Sequence, residues 1–157
     1  MQPTEVAPSM LVAPGTPLFD RVMGSGVWVA QEKLDGVRAV WVKSRFWSRH
    51  GKPLQGHAPN VGTVAVIDGE MVRVDGVNQW LAFDLLELDG QDLRSRPWSE
   101  RWMRLQNLGL PTVETVVDGK RGFWERCMER GAEGIVLKHM RDPYPPIDGA
   151  VWYKVKR

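Results

Sequence analysis

Residues 27–41 read VWVAQEKLDGVRAVW. Two runs rich in β-branched and aromatic residues flank a short polar break, which is the pattern of strand, turn and strand. Lys33 stands at the end of the first run, and Asp35, Gly36 and Arg38 follow it. A lysine that is buried or set beside other cations can lose its proton and act as a nucleophile. Gly36 permits close backbone approach to a ligand, and Arg38 offers two parallel hydrogen bonds to a phosphate or carboxylate. Taken alone, the same residues describe a hairpin with a solvated lysine, so the rest of the chain has to decide.

Working outward, VRAVWVK and RFWSR continue the strand pattern across the Lys43–Ser44 break, and with VWVAQ they predict an antiparallel meander. Val64 to Val72 alternates, and placing Asp68 and Glu70 two apart puts both acids on one strand face. A further apolar run spans 79–86 and ends at the turn signal Asp89-Gly90. Pro97 opens a helix carrying Trp98, Trp102, Leu105 and Leu108, and Gly109 stops it; a second helix is expected over 120–130, closed by Gly131. Strands follow at 135–138 and 151–156, where Lys154 and Lys156 emerge on one face. Two ammonium groups pointing the same way repel unless an anion lies between them, and phosphate is a suitable anion. The order of elements lacks regular βαβ alternation and predicts an α+β fold of largely antiparallel sheets with flanking helices.

Four prolines within residues 1–17 predict an extended lead-in, followed by one domain over 18–157. A length of 157 residues, 43% hydrophobic and 25% charged, suits one globular domain. A net charge of +2 argues against binding nucleic acid by charge alone, although residues 120–157 hold nine basic and five acidic side chains against twelve and fourteen before them. A single cysteine, Cys127, excludes an internal disulfide. No apolar run reaches the roughly 20 residues that span a bilayer, and no basic residue precedes Arg21, so a cytoplasmic monomer without membrane attachment is expected.

The motif KLDGVR resembles the K-x-D-G-x-R signature of the covalent nucleotidyltransferases, and further segments resemble that superfamily's later motifs in order. WSRHGK around Arg49 is similar to its S-R-x-G element, IDGEM with Glu70 to its D-G-E motif, and AFDLLELDGQDLRSRPWSER to its F-D element. EGIVLK places Glu133 and Lys138, and WYKVKR places Lys154 and Lys156, at its last two strand motifs. Within that segment LLELDGQDLRSRPWSER favours the ATP-dependent DNA ligase branch. The resemblance implies an ATP-grasp-like nucleotidyltransferase (adenylation) core with Lys33 as the catalytic nucleophile. It implies ATP contacts from Gln31, Lys33, Arg38, Arg49, Glu70, Phe83, Lys138, Lys154 and Lys156, and Mg²⁺ or Mn²⁺ held at Glu70 and Glu133. Phe83 would stack on adenine, against core packing as the reading from residue type alone. The implied partner is nicked double-stranded DNA in replication, repair or recombination, in a phage or bacterial setting. The chain stops at Arg157, where members of the family continue into an OB-fold domain, so that domain or a partner supplying it is expected separately. The alternatives are an RNA ligase or RNA-end nucleotidyltransferase, and a non-catalytic module that retains the fold.

Overall fold

The computed structural model describes residue 7 and residues 9–157. In chain order the elements are β1 (Ser9–Leu11), α1 (Pro17–Met23), β2 (Trp28–Lys33), β3 (Val37–Val42), β4 (Arg45–Ser48), β5 (Pro53–Leu54), β6 (Ala65–Val74) and β7 (Val77–Leu88). They continue with β8 (Gln91–Asp92), α2 (Trp98–Asn107), β9 (Thr115–Val116), α3 (Lys120–Glu129), β10 (Gly134–His139) and β11 (Trp152–Lys156). The fold is α+β. Its contacts divide the described chain into two compact units, Gly36–Val113 and Ala7–Asp35 with Glu114–Arg157.

The first unit is one sheet of order β5-β4-β3-β6-β7-β8, all of whose pairings are antiparallel. Its core lies on one face, where Ala39, Trp41, Phe46, Ile67, Met71, Trp80 and Leu85 meet Leu105 of α2. The same helix buries Arg101, which donates to both carboxylate oxygens of Asp84 on β7 at 2.8 and 3.1 Å; both side chains are fully inaccessible. Pro97 is the N-cap residue of α2, and its carbonyl accepts the Arg101 N–H at 3.2 Å.

The second unit is a sheet of order β1-β11-β10-β2-β9 in which only β1 runs parallel to its neighbour, β11. Helices α1 and α3 cover one face, packing Phe19, Val22, Met23, Phe123 and Cys127 onto Ala30, Ile135, Leu137 and Val155. Burial pushes the Cys127 thiol above its ordinary range, so it serves as a small packing residue.

Two expectations need correction. The meander does not form as a unit, because β2 leaves β3 and pairs instead with β10 and β9 in the other sheet. The Lys33 to Val37 break is therefore a passage between two sheets and not a hairpin. Residues 1–6 and 8 of the lead-in lie outside the described residues, but its remainder is not featureless. Ser9–Leu11 forms β1, and Pro17 opens α1 with Thr16 accepting the Phe19 N–H at 3.3 Å. Proline at the first helical position starts a helix, since the donor it lacks has no partner there.

Lys120 at the start of α3 is 4% exposed and donates to the carbonyls of Ser25 and Val117, each at 2.7 Å. Burial pushes its pKa below the usual lysine value, with the charge of Asp118 opposing. The unfolded chain then takes up this proton more readily than the folded one, so the charge costs stability at neutral pH. That cost is relieved as pH rises through the lowered folded value toward the unfolded 10.5. Lys120→Met is expected to cost about 1–3 kcal/mol by stranding two carbonyls. The gap between wild type and variant widens with pH in urea titrations approaching pH 10; a gap that narrows would refute the assignment.

Candidate active site

The face of the second sheet opposite α1 and α3 gathers six residues singled out by the motifs. Register places Lys33, Gly134 and Lys156 in one row across β2, β10 and β11, and Gln31, Val136 and Lys154 in the next. Lys138 lies two residues beyond Val136 and so shares the face. Lys33 Nζ donates to Glu133 Oε2 at 2.9 Å, and Lys156 Nζ stands 3.7 Å from Glu133 Oε1. One carboxylate is thus held between two ammonium groups. Instead of cations crowding Lys33, the group against its ammonium is an acid from the residue just before β10.

Gly134 occupies the centre of the first row because nothing larger fits. A Cβ there would run into the Val155 carbonyl of β11. Lys138, 1% exposed, carries its Nζ over the Trp152 ring at 3.8 Å from the centroid. The indole face attracts the cation electrostatically and helps to hold it inside the fold. Gln31, 2% exposed, donates from Nε2 to Thr115 Oγ1 at 3.2 Å. Thr115 carries no motif signal, and Trp152 lies within WYKVKR but was not singled out there. They are recognised only by what they touch.

The remaining motif residues lie in the first unit. Arg38 does make two parallel bonds, but with Asp68: Nε to Oδ1 at 2.7 Å and Nη2 to Oδ2 at 2.6 Å. Asp68 is completely buried, so a charge-assisted pair is what makes its ionised form tolerable there. Glu70, on the same strand face, accepts the Gly36 N–H at 3.2 Å. Gly36 is required for that approach: a Cβ would collide with the Met71 carbonyl of β6. Its close backbone contact is therefore made with its own sheet. Phe83 is not a core residue. The pairing of β6 and β7 shifts between Asp68↔Asp84 and Gly69↔Ala82, leaving Phe83 as the extra residue of a bulge, half-buried, with the Arg38 guanidinium 4.9 Å from its ring centroid. Arg49 is exposed just past β4. A cleft of about 580 Å³ in this unit, lined by Trp41, Phe46, Leu54, His57, Arg73 and Asn78 among others, contains none of the motif residues.

Among the described residues no three His, Cys, Asp or Glu side chains cluster as a metal centre. Glu70 and Glu133 lie in different units, and each by itself offers one carboxylate, the sparse donor set that Mg²⁺ accepts beside several waters and substrate phosphate oxygens.

No family model matches the chain. A probable DNA ligase of Streptomyces griseus is 33% identical over 118 residues, which cover 67% of this chain and 23% of that protein. A probable DNA ligase of Sorangium cellulosum is 33% identical over 97 residues, 57% of this chain and 18% of the relative. The chain is a homologue of the DNA ligases. The ligase domain of M. tuberculosis LigD superposes with a TM-score of 0.72 at 26% identity, covering 98% of this chain and 60% of that one. A mycobacterial DNA ligase D complexed with ATP gives 0.71 at 23% identity over 98% of this chain and 61% of its own, a likeness of fold. This ligase homologue therefore has the fold of the ATP-dependent ligases' adenylation domain, and it spans about a fifth of the length of these two curated relatives.

Proposed function

We propose that this chain is the adenylation core of an ATP-dependent DNA ligase and that Lys33 is its nucleophile. The observation that carries the reading is the lysine face itself: Lys33, Lys138, Lys154 and Lys156 on one side of one sheet, with Glu133 against the Lys33 amine. In the proposed step the neutral amine of Lys33 attacks the α-phosphorus of ATP. An N–P bond forms, the bond to the bridging oxygen breaks, and pyrophosphate leaves with its electron pair. The amine gives up a proton, for which the Glu133 carboxylate is the nearest acceptor at 2.9 Å. Lys154 and Lys156 offset charge building on the phosphate, an electrostatic role worth most where donors are already in place. A bound Mg²⁺ or Mn²⁺ would supply charge neutralisation at the phosphates.

The ribose, base and phosphate contacts implied for Gln31, Arg38, Arg49, Glu70 and Phe83 form part of the proposal. So do transfer of AMP to a DNA 5′-phosphate and its displacement by the adjoining 3′-hydroxyl at a nick. The expected result with α-labelled ATP and Mg²⁺ is an adduct that is stable in alkali and labile in acid, as a phosphoramidate is, which peptide mapping assigns to Lys33 and which GTP does not give. Absence of label, also after an OB-fold domain is added, would refute the reading. Sealing of nicked DNA against nicked RNA then separates the DNA ligase from an RNA ligase.

A further inference from the structure

The cleft of about 580 Å³ in the first unit holds none of the proposed catalytic groups, yet its volume falls in the range of about 300–1,000 Å³ typical of small-molecule sites. Strand pairing builds its apolar lining. Trp41 of β3 pairs with Phe46 of β4, and Phe46 with Leu54 of β5, so one row of apolar side chains crosses three strands at the cleft. The Trp41 and Phe46 rings meet edge to face at 4.9 Å, and Phe46 packs on Trp80 at 5.0 Å, which fixes the row against the core. Val77, the first residue of β7, adds an exposed apolar group to the lining.

The rim is tied together. Arg73 and Asn78 are paired across β6 and β7, and the Asn78 side chain works in two directions: its Oδ1 accepts from Arg73 Nη1 at 3.0 Å, and its Nδ2 donates to the Gln55 carbonyl at 3.2 Å. That amide fastens the chain after β5 to the hairpin of β6 and β7. At Gly56 the same segment lies directly on the core, where a Cβ would crowd the Met71 methyl and the Phe46 ring. The cleft is thus formed before a ligand arrives, which spares the ligand the cost of ordering it.

Its charge is one-sided. Arg45, Arg73 and His57 line the cleft, and no Asp or Glu does; Asp75, in the turn between β6 and β7, is not part of the lining. Both arginines are exposed, and neither forms an ion pair among the described residues. Arg73 spends Nη1 on Asn78, and a guanidinium carries further N–H groups. We infer that this cleft binds a small organic anion, with a compact apolar body against Trp41, Phe46, Leu54 and Val77 and a carboxylate held by Arg45 and Arg73. Guanidinium groups take carboxylates through paired, charge-assisted bonds. An inorganic anion would leave the apolar row unused, and an uncharged apolar molecule would leave the guanidinium groups unmatched. A nucleic acid or a protein partner spreads its contacts along a charged track or over an extended surface, whereas one cleft of this volume suits one compact molecule. The site shares no residue with the adenylation reading and stands apart from it.

Indoleacetate is the probe; tryptamine, which carries the same ring on a cation, and acetate, which is the anion without a body, are the comparisons. Protein-observed amide NMR on the full chain follows Gly56, Gly76 and the Asn78 side chain. Indoleacetate is expected to shift these signals saturably with a Kd below about 1 mM, and tryptamine and acetate to bind at least about tenfold more weakly. The double variant Arg45→Gln, Arg73→Gln is expected to weaken indoleacetate by at least about tenfold. Val77→Asp changes an exposed side chain, keeps both guanidinium groups and sets a carboxylate in the cleft. The same weakening is expected from it, and it reads the same site if the double variant does not fold. Shifts that do not saturate, equal binding of tryptamine, or unchanged affinity in a folded variant overturns the inference. So does a short DNA duplex or polyglutamate that displaces indoleacetate from these signals at a lower concentration than acetate does. None of these readouts involves ATP, so they hold whether or not Lys33 becomes labelled.

Discussion

Lys33→Met is expected to abolish the lysine-linked nucleotide adduct, lowering its rate of formation by more than about a thousandfold, because no other group replaces the attacking nitrogen. Lys33→Arg is the sharper variant. It keeps a cation against Glu133, and so preserves the ion pair of 2.9 Å in kind, but a guanidinium does not lose its proton in a protein. If Lys33 acts only by holding charge, arginine restores labelling; if it is the nucleophile, arginine is as inactive as methionine. Adduct formation by the arginine variant at more than about a tenth of the wild-type rate would remove Lys33 from its proposed role. Urea unfolding run in parallel is expected to show losses below about 1 kcal/mol, since both side chains of the pair are partly exposed, at 24% and 30%.

Asp84→Asn is expected to destabilise the protein by about 3–5 kcal/mol, the largest effect on stability anticipated for a single substitution. Asp84 and Arg101 are both fully inaccessible, and the carboxylate also accepts the Leu85 N–H at 2.9 Å. Asparagine keeps the shape but leaves the Arg101 guanidinium buried without its counter-charge. The cost is that of stranding one ion, not the net worth of the pair, whose own desolvation offsets much of its attraction. The double substitution Asp84→Leu with Arg101→Met is therefore expected to recover a substantial part of the loss in urea midpoints. A single-variant loss below about 1 kcal/mol would show that the pair is not the constraint holding α2 on β7.

Much of the local structure was legible from residue pattern. Helix α3 was expected over 120–130 and spans Lys120–Glu129, and Pro97 was identified as the opening of α2. These elements are set by short-range rules, namely helical spacing of apolar residues and the donor that proline lacks. Helix α1 escaped because Pro17 was counted with three other prolines as a breaker, although Thr16-Pro17 is an N-cap followed by a first-turn proline. Strand β1 escaped because three residues are too few to show a period, and its hydrogen bonds go to β11, far along the chain.

The same division runs through the candidate site. Alternation along a strand was enough to put Asp68 with Glu70, and Lys154 with Lys156, on common faces, because side chains two apart point the same way whatever the neighbouring strand. By itself, then, the sequence determined the identity and order of the chemical groups, the α+β class, and which residues share a face within one strand. Tertiary structure alone decided which strands meet. It took β2 out of the apparent meander and set it beside β10, bringing Glu133 to Lys33 across a separation of 100 residues. It also gave Arg38 to Asp68, and it turned Phe83 out of the core through a bulge. The physical reason is that backbone edges are chemically alike in every strand, so local pattern does not name the partner. Pairing and register follow from the simultaneous burial of apolar faces under α1 and α3 in one sheet and under α2 in the other.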